Sequence, residues 1–467
     1  MIEHAVLEKK PLGISGMSAL AGSQIAVIGL GASGFAAARL ALDKGGDVYV
    51  SDLRTEPEVT ARRADLRERG AQVELGRHDI ERLEGADVVI VSPGIPPEAP
   101  VLRELQDRSV RWISEPEFAF QFFSSPLIAV TGTNGKTTTT LLLGHLLETA
   151  GVRVGVGGNV GGGLAPAASE LALMEPAPDW YVLEMSSFQL SAIQSFRPDV
   201  GVLTNLSPDH LDRYSSLEAY YADKARIFDN ADHQSIWVLP HGNRVVDSLI
   251  GNTPGDRFYF GEHQQSETHA FMVDGVLTLR FEDHRYPLLE MGELSLIGQH
   301  NTQNALAASL ATCLVDVPAE SIADGLRTAR PLPHRLEPVA VRNGVVWLND
   351  SKATNVAATR SALESVHQPV VLLLGGVDKG EDFRSLIPST ANLRGILAYG
   401  AAAPRIVSEI EGAVLVDGDL GLVIQQAKKL AEEGDVILLS PACSSFDMFD
   451  NYEERGRVFS SLASEAL

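Results

Sequence analysis

Residues 130–140 read VTGTNGKTTTT. An apolar stretch, SSPLIAV, runs straight into them, and the apolar-studded LLLGHLLETA follows. Strand, glycine-bearing loop and helix in that order are the context of a phosphate loop. There, backbone N–H groups cradle phosphate oxygens and a lysine reaches the outer phosphates. Gly132, Thr133, Asn134, Gly135, Lys136, Thr137 and Thr138 fit the end of that pattern, with Thr137 at the place of a magnesium ligand. Val130 stands where the first glycine belongs, so a glycine-rich turn is the bland alternative to ATP binding.

Outward from this loop, short β-rich runs alternate with helix-length segments. Strand candidates are 25–28, 47–50, 87–91, 127–130, 180–184 and 199–204, then 345–348, 369–374, 395–398 and 435–439. The alternation predicts βαβ units with parallel sheets, an α/β fold. Residues 257–290 depart from it and read as a short antiparallel insertion. A fresh strand and phosphate loop at 127 put one seam near 110–120, and ARPLPHR at 329–335 marks a second. Three α/β domains in series are expected: 1–114, 115–331 and 332–467. Residues 1–16, before Met17, are expected to be a dispensable extension.

Composition narrows the function classes. Among 467 residues, 61 are acidic and 38 basic, a formal charge of −23, which repels nucleic acid over the surface as a whole. No apolar run approaches the roughly 18 residues of a membrane span. Two cysteines, Cys313 and Cys443, and no apolar leader fit a reducing cytoplasm.

Four further constellations carry chemistry. GLGASG (29–34) follows the strand IAVI, and SDLR puts Asp52 at the end of the next strand. That spacing belongs to dinucleotide folds, so NAD or FAD, another nucleotide-bearing ligand, or structural glycines all remain open. Arg54 could serve a uracil or a phosphate. YVLEMSSFQL ends a strand in Glu184, where phosphate-loop domains place a metal-side carboxylate; an ordinary strand-end acid is the alternative. TNLSPDHLDRY packs Asp209, His210, Asp212 and Arg213 past another strand end, with Lys224 fourteen residues after His210, which points to metal or phosphate. Finally, GQHNTQN, LPHRLE, NDSKATN, GGVDKGEDF and LLSPACSSFD put polar residues in loops, most of them directly after strands.

As a set, TGTNGKTTTT, SPDHLDRY, GQHN, PHRLE and NDSKATN resemble the Mur ligase family, ATP-dependent amide ligases of peptidoglycan synthesis. SPGI (92–95), GGN (157–159), NDSKATN (349–355) and LLSPACSSFD (438–447) resemble its D-glutamate-adding branch. The resemblance covers essentially everything from residue 24 onward. It implies a Rossmann-like domain for a UDP-linked acceptor, a central P-loop ATPase domain and a C-terminal Rossmann-like amino-acid domain. The implied reaction phosphorylates the alanyl carboxylate of UDP-N-acetylmuramoyl-L-alanine from ATP, and D-glutamate then attacks the acyl phosphate.

By motif position, the resemblance assigns one Mg²⁺ to Thr137 and Glu184 and a second to His210 and Lys224, with Mn²⁺ as a substitute and Lys224 carbamylated. Lys136, Glu184, His210 and Lys224 become the catalytic set. Asn301, Asn304, Arg335 and Asp350 join the phosphate loop around ATP. Gly31, Ala32, Ser33, Asp52, Arg54 and Gly94 surround the UDP, and Asn159 and His210 lie by the alanyl end. Lys352, Thr354, Lys379, Ser445, Phe446 and Tyr452 form the D-glutamate pocket, where cations and hydroxyls suit a dicarboxylate. Leu53 departs from the pattern, standing where a relative offers a hydroxyl to uracil; Tyr452 replaces a phenylalanine and keeps its stacking role. The expected partners are small molecules only, and the expected state is a monomer. The rival readings are a sibling or folate ligase, an oxidoreductase that leaves TGTNGKT unused, and a P-loop switch that leaves two domains unexplained.

Overall fold

A computed structural model describes residues 20–465 except 162, 210–212, 215, 283, 295, 297, 390 and 391. The extension expected at 1–16 lies outside the described residues. Contacts divide the chain into two units, Met1–Met291 with Gln303–Arg327, and Gly292–Thr302 with Thr328–Leu467.

The first unit carries two sheets. One has the order Gln72–Leu75, Asp47–Asp52, Gln24–Ile28, Val88–Val91 and Ile113–Ser114, all parallel. The order reverses beside Gln24–Ile28, and such a switch point opens a crevice at the carboxyl ends of the strands. The other sheet has nine strands. Its parallel part runs Ile236–Pro240, Val200–Leu203, Leu127–Thr131, Trp180–Glu184, Val154–Gly158. The central strands are buried and apolar up to Thr131 and Glu184 at their carboxyl ends, the pattern of parallel strands covered on both faces.

The insertion expected at 257–290 needs correction. Thr268–Val273, Val276–Phe281 and His284–Glu290 do form an antiparallel meander. Asp256–His263, however, pairs parallel with Ile236–Pro240 and with Thr268–Val273, so the segment extends the main sheet. Tyr259 and Phe260 lie on both of its parallel ladders, and Phe260 is buried there, a packing preference invisible to a count of alternating residues.

The two sheets of this unit share one core. Helix Ala32–Asp43 sends Ala37, Leu40 and Ala41 into the same apolar cluster as Phe118, Tyr181, Phe196 and Trp237. The short helix Glu115–Phe120 lies between the sheets, and two buried carboxylates anchor it. Glu117 accepts hydrogen bonds from the N–H groups of Gln194 (3.0 Å), Ser195 (2.9 Å) and Phe196 (2.8 Å), and from the Ser195 hydroxyl (2.6 Å). Charge-assisted bonds of this kind contribute about 1.5–3 kcal/mol each, and they satisfy three donors that an apolar residue would leave bare.

The second unit is built on a six-stranded sheet, Glu337–Arg342, Val345–Asn349, Val436–Leu439, Val370–Gly375, Leu393–Tyr399, Ala413–Leu415. Only the first pair is antiparallel. Leu372, Leu374 and Leu438 face one apolar layer; Val371, Leu373 and Leu439 face another, as period-2 alternation requires.

Glu115 makes a pH-dependent contribution. It accepts from the N–H of Ser169, its Oε2 is buried with no hydrogen-bond partner, and complete burial pushes its pKa up to about 7, partly offset by Ser169. The unfolded chain ionises this group near 4.5, so from there to about 7 the folded state holds the extra proton and loses stability as pH rises. Urea unfolding is therefore expected to weaken between about pH 5 and 8 by about 2–3 kcal/mol more in the wild type than in Glu115→Gln. Equal slopes in the two proteins would show that Glu115 does not carry this proton.

Candidate functional site

Val130 is fully buried inside the strand Leu127–Thr131, paired with Glu184 on one side and Val202 on the other. The position that lacks a glycine is thus core, and the loop proper begins at Gly132. Helix Lys136–Thr149 starts after Gly135, which is left-handed at φ 81°. A Cβ at Gly135 would lie 2.2 Å from Asn304 Oδ1, so only glycine fits. Asn304 Oδ1 also accepts from the Thr139 hydroxyl at 3.3 Å.

The segment after Val200–Leu203 holds the loop from its other side. The Thr133 N–H donates to the Asn205 carbonyl (2.9 Å) and the Asn134 N–H to Asn205 Oδ1 (2.9 Å). The Thr204 hydroxyl donates to the Asn134 carbonyl (2.6 Å), and that of Thr133 to the Ser207 carbonyl (3.1 Å). The loop is shaped in advance by the protein itself.

Two lysines reach this loop. Lys136 Nζ donates to the Thr133 carbonyl at 2.8 Å. Lys224, on the helix Leu217–Ala225, is 2 % exposed and donates to the Gly132 carbonyl at 2.7 Å. Its ammonium sits 4.8 Å from the centre of the Tyr220 ring, whose hydroxyl donates to Thr133 Oγ1 at 3.2 Å. Burial, aided by the Lys136 charge, pushes the Lys224 pKa down to about 7 against the pull of Asp209, Glu184 and Asp223.

Glu184 ends the neighbouring strand, and its Oε2 is buried with no hydrogen-bond partner among the described residues. A buried carboxylate oxygen left bare is costly, and a divalent cation would satisfy it. Glu184 and the buried Thr137 hydroxyl are hard oxygen donors, which fits Mg²⁺. Among the described residues no group of three or more His, Cys, Asp or Glu side chains gathers as a metal site. The expected ligand His210 lies outside the described residues. Asn159 is pinned nearby, its N–H donating to the Glu184 carbonyl at 2.9 Å.

On the first sheet, helix Ala32–Asp43 begins with Gly31 as its N-cap, leaving Ala32 and Ser33 in the first turn. Gly34 lets this helix close on the strand, since a Cβ there would lie 1.9 Å from the Gly29 carbonyl oxygen. Asp52 is buried and accepts from the Leu30 N–H (2.6 Å) and the Arg54 N–H (2.8 Å), with Arg54 Nη2 at 2.8 Å. Burial raises its pKa, but Arg54 and the Leu30 and Arg54 amides win, so it is held ionised. Asp52 thus braces the glycine loop and aims Arg54. Gly94 lies in the turn after Val88–Val91, which begins with the Ser92 N–H donating to the Ile28 carbonyl at 3.0 Å. Leu53, between Asp52 and Arg54, is exposed.

In the second unit, Asp350 is buried at the end of Val345–Asn349. It accepts from the Ser440 hydroxyl (2.7 Å) and the Leu336 N–H (3.2 Å), and burial pushes its pKa up to about 7. The flanking turn holds His334 at φ 63° and Leu336 at φ 43°, left-handed conformations unusual for such residues, around Arg335. Lys352 lies with Nζ 5.4 Å from the Tyr452 ring centre, and Lys379 Nζ donates to the Thr354 hydroxyl at 3.4 Å. Ser445 is buried, whereas Phe446 is 74 % exposed.

These loops can be set beside known proteins. A MurD-like N-terminal domain of Mur ligases matches residues 23–114, the Mur ligase middle domain 130–312, and the Mur ligase glutamate ligase domain 334–443. A protein of Acidobacterium capsulatum named UDP-N-acetylmuramoylalanine–D-glutamate ligase is 40% identical over 95% of this chain and 96% of its own. The chain belongs to the Mur ligase family. A namesake from Desulfatibacillum aliphaticivorans is 39% identical over 94% of this Mur ligase and 98% of its own length. The crystal structure of MurF ligase from Thermotoga maritima in complex with ADP shares the fold at a TM-score of 0.61, with 15% identity over 90% of this chain and 96% of that one.

In this Mur ligase the first unit brings Gly132–Thr138, Asn304, Glu184, Asn159 and Lys224 to one edge of the nine-stranded sheet, and Gly31–Ser33, Asp52, Arg54 and Gly94 to one edge of the five-stranded sheet. The second unit holds Arg335, Asp350, Lys352, Thr354, Lys379, Ser445, Phe446 and Tyr452, and its boundary takes in Asn301, which shares the helix Gln299–Cys313 with Asn304. Sequence reasoning missed Tyr220, whose i−4 spacing from Lys224 is the available signal, and Asn205 and Ser440, which lie inside the motifs TNLSPDHLDRY and LLSPACSSFD. It also missed Arg405, which pairs with Asp378 (2.7 Å) and donates to the Glu381 carbonyl (2.7 Å), fixing the GGVDKGEDF loop from a distant helix.

Gly135→Ala is expected to destabilise the protein by at least about 1–3 kcal/mol, through the left-handed backbone and the clash with Asn304. Thermal unfolding checks it. A melting temperature unchanged from wild type would refute the tight seat of this loop.

Proposed function

We propose that this Mur ligase joins the alanyl carboxylate of UDP-N-acetylmuramoyl-L-alanine to the amino group of D-glutamate, with ATP converted to ADP and phosphate. One observation carries the reading: a preshaped phosphate loop, two lysines and a bare carboxylate converge in a chain matched along 95% of its length by a protein so named.

The chemistry follows from charge. A carboxylate is a poor electrophile, so its oxygen first attacks the γ-phosphorus and ADP leaves; the amine then attacks the acyl carbon, phosphate departs and the amine loses a proton. Lys136 and the loop N–H groups would neutralise the β- and γ-phosphates as two anions approach. Thr137 and Glu184 would hold one Mg²⁺, and His210 with Lys224 a second; Mn²⁺ could replace either. When bound, such ions draw charge from the phosphoryl oxygens. Lys224 fits a carbamate, because an amine with a pKa near 7 is substantially neutral and only the neutral amine adds CO₂. That addition turns a cation into an anion beside the metal.

Three segments would divide the work: 1–114 for UDP, with Gly31, Ala32, Ser33, Asp52, Arg54 and Gly94; 115–331 for ATP, with Asn304 beside the loop and Asn159 at the alanyl end; 332–467 for D-glutamate. Asn301, Arg335 and Asp350 would complete the ATP site. Lys352, Thr354, Lys379, Ser445, Phe446 and Tyr452 would receive the amino acid, the two lysines facing its two carboxylates. One chain carries all three loop sets, which supports a monomer. Its free cysteines, Cys313 and Cys443, suit a cytoplasmic enzyme, and no helix among the described residues is long and apolar enough to cross a membrane.

Phosphate release with ATP, Mg²⁺ and UDP-N-acetylmuramoyl-L-alanine is expected with D-glutamate; equal rates with L-glutamate or with no amino acid would sink the assignment. Lys136→Ala should lower acyl-phosphate formation at least about 100-fold. Lys224→Ala should lose comparable activity and recover part of it with a short-chain carboxylate. Absence of both that rescue and a carbamate mass on the wild-type protein would dismiss the modification.

A further inference from the structure

Away from both phosphate loops, a cavity of about 540 Å³ opens along the outer edge strand of the first sheet, Gln72–Leu75. Its size is that of small-molecule sites generally. Arg63, Arg67, Arg77 and Arg82 line it together with Tyr49. Four guanidinium groups around one cavity are unexpected in a chain of net charge −23.

The pairing of these arginines is uneven. On the helix Pro57–Glu68 and its C-cap, Arg62 pairs with Glu58 (2.7 Å) and Arg69 with Asp65 (2.8 Å), each by the i,i+4 spacing. Arg63 has no hydrogen-bond or ion-pair partner among the described residues, and Arg67 donates only to the neutral Val73 carbonyl, at 2.9 Å. These two are themselves four apart, a like-charge spacing that costs a helix a few tenths of a kcal/mol. Of the other two lining arginines, Arg77 meets Glu74, and Arg82 meets Asp79 at 3.5 Å. The four cations and two acids leave the cavity with two uncompensated positive charges, both on the Arg63–Arg67 side.

We propose that this cavity is a second anion site, separate from the two phosphate loops, that takes the diphosphate group of a small phosphorylated molecule. Arg63 and Arg67 stand one helical turn apart, a rise of about 6 Å, which lets each guanidinium meet one phosphoryl group. Arginine suits this role because its planar fork donates two parallel bonds to a phosphate. Hydrogen bonds join the rim of the site to the neighbouring strand Asp47–Asp52. The Tyr49 hydroxyl donates to Glu74 at 2.8 Å and accepts from the Asp79 N–H at 3.1 Å. Between Arg77 and Asp79, His78 Nδ1 lies 2.8 Å from the Ser51 hydroxyl, next to Asp52.

The test is isothermal titration of pyrophosphate into Lys136→Ala protein, where the central phosphate loop has lost its lysine. Adding Arg63→Gln, and then Arg63→Gln with Arg67→Gln, is expected to weaken binding at least about tenfold. The melting temperature should stay unchanged in Arg63→Gln, since Arg63 has no partner among the described residues. Inorganic phosphate should bind more weakly than pyrophosphate, having one phosphoryl group for two guanidiniums. Binding should also fall as chloride rises, because the arginines are partly exposed. No heat of binding in the Lys136→Ala parent, equal affinity in the arginine variants, or loss of binding through Arg54→Gln instead would each overturn the proposal.

Discussion

A parallel strand is reached only by a crossover that returns the chain to the edge from which the previous strand began. Every loop that follows a parallel strand therefore opens on the same edge of its sheet. The organisation of this protein depends on that constraint. It puts Gly132–Gly135, Glu184 and Thr204–Ser207 together on the nine-stranded sheet, though they lie on three different strands. It also puts Gly29–Gly31, Asp52 and Ser92 together on the five-stranded sheet. On the six-stranded sheet, Asp350, Gly375 and Ser440 meet in the same way.

Once loops converge, charge at the edge becomes expensive, and the protein treats each group differently. Glu117 commits its carboxylate to three backbone N–H groups and a hydroxyl, a purely structural use. Asp52 is satisfied by amides and Arg54, so it stays ionised and shapes a loop. Glu184 has a buried oxygen with no donor among the described residues, and Lys224 is pushed toward neutrality at the same loop. Mismatches of that sort are costly to folding and occur together where a ligand resolves them. The contrast separates scaffold from site more sharply than residue type does.

Much of the fold and the site is legible in consecutive residues alone. TGTNGKT announces its loop because strand, turn and helix are contiguous along the chain. GLGASG, Glu184 and NDSKATN are legible for the same reason, each lying directly after a recognisable strand. Val130 is explained only by its two neighbours in the sheet, Glu184 and Val202. Tyr220, Asn205 and Arg405 escape notice because their partners are between about 27 and 87 residues away, and spacing of that kind has no periodicity to read. The strands Gln72–Leu75 and Val154–Gly158 are short or glycine-bearing, so local propensity alone gives little signal, whereas Ile236–Pro240, IWVLP, carries a readable β signal that the alternation of strands and helices did not pick up.

The sequence by itself determined the α/β class and the parallel sheets, because these rest on periodicity and contiguous spacing, and it pointed to the short motifs proposed for phosphate and carboxylate chemistry. Only the tertiary structure decided that Asp256–His263 joins the central sheet in parallel, that the first two sheets share one core, and that Asp52 braces its own loop. It alone also decided that Arg63 and Arg67 share one cavity with Arg77 and Arg82. The physical reason is the same in each case: pairing and burial depend on residues far apart in the chain, and the cost of a buried or unpaired charge exists only once those residues have met.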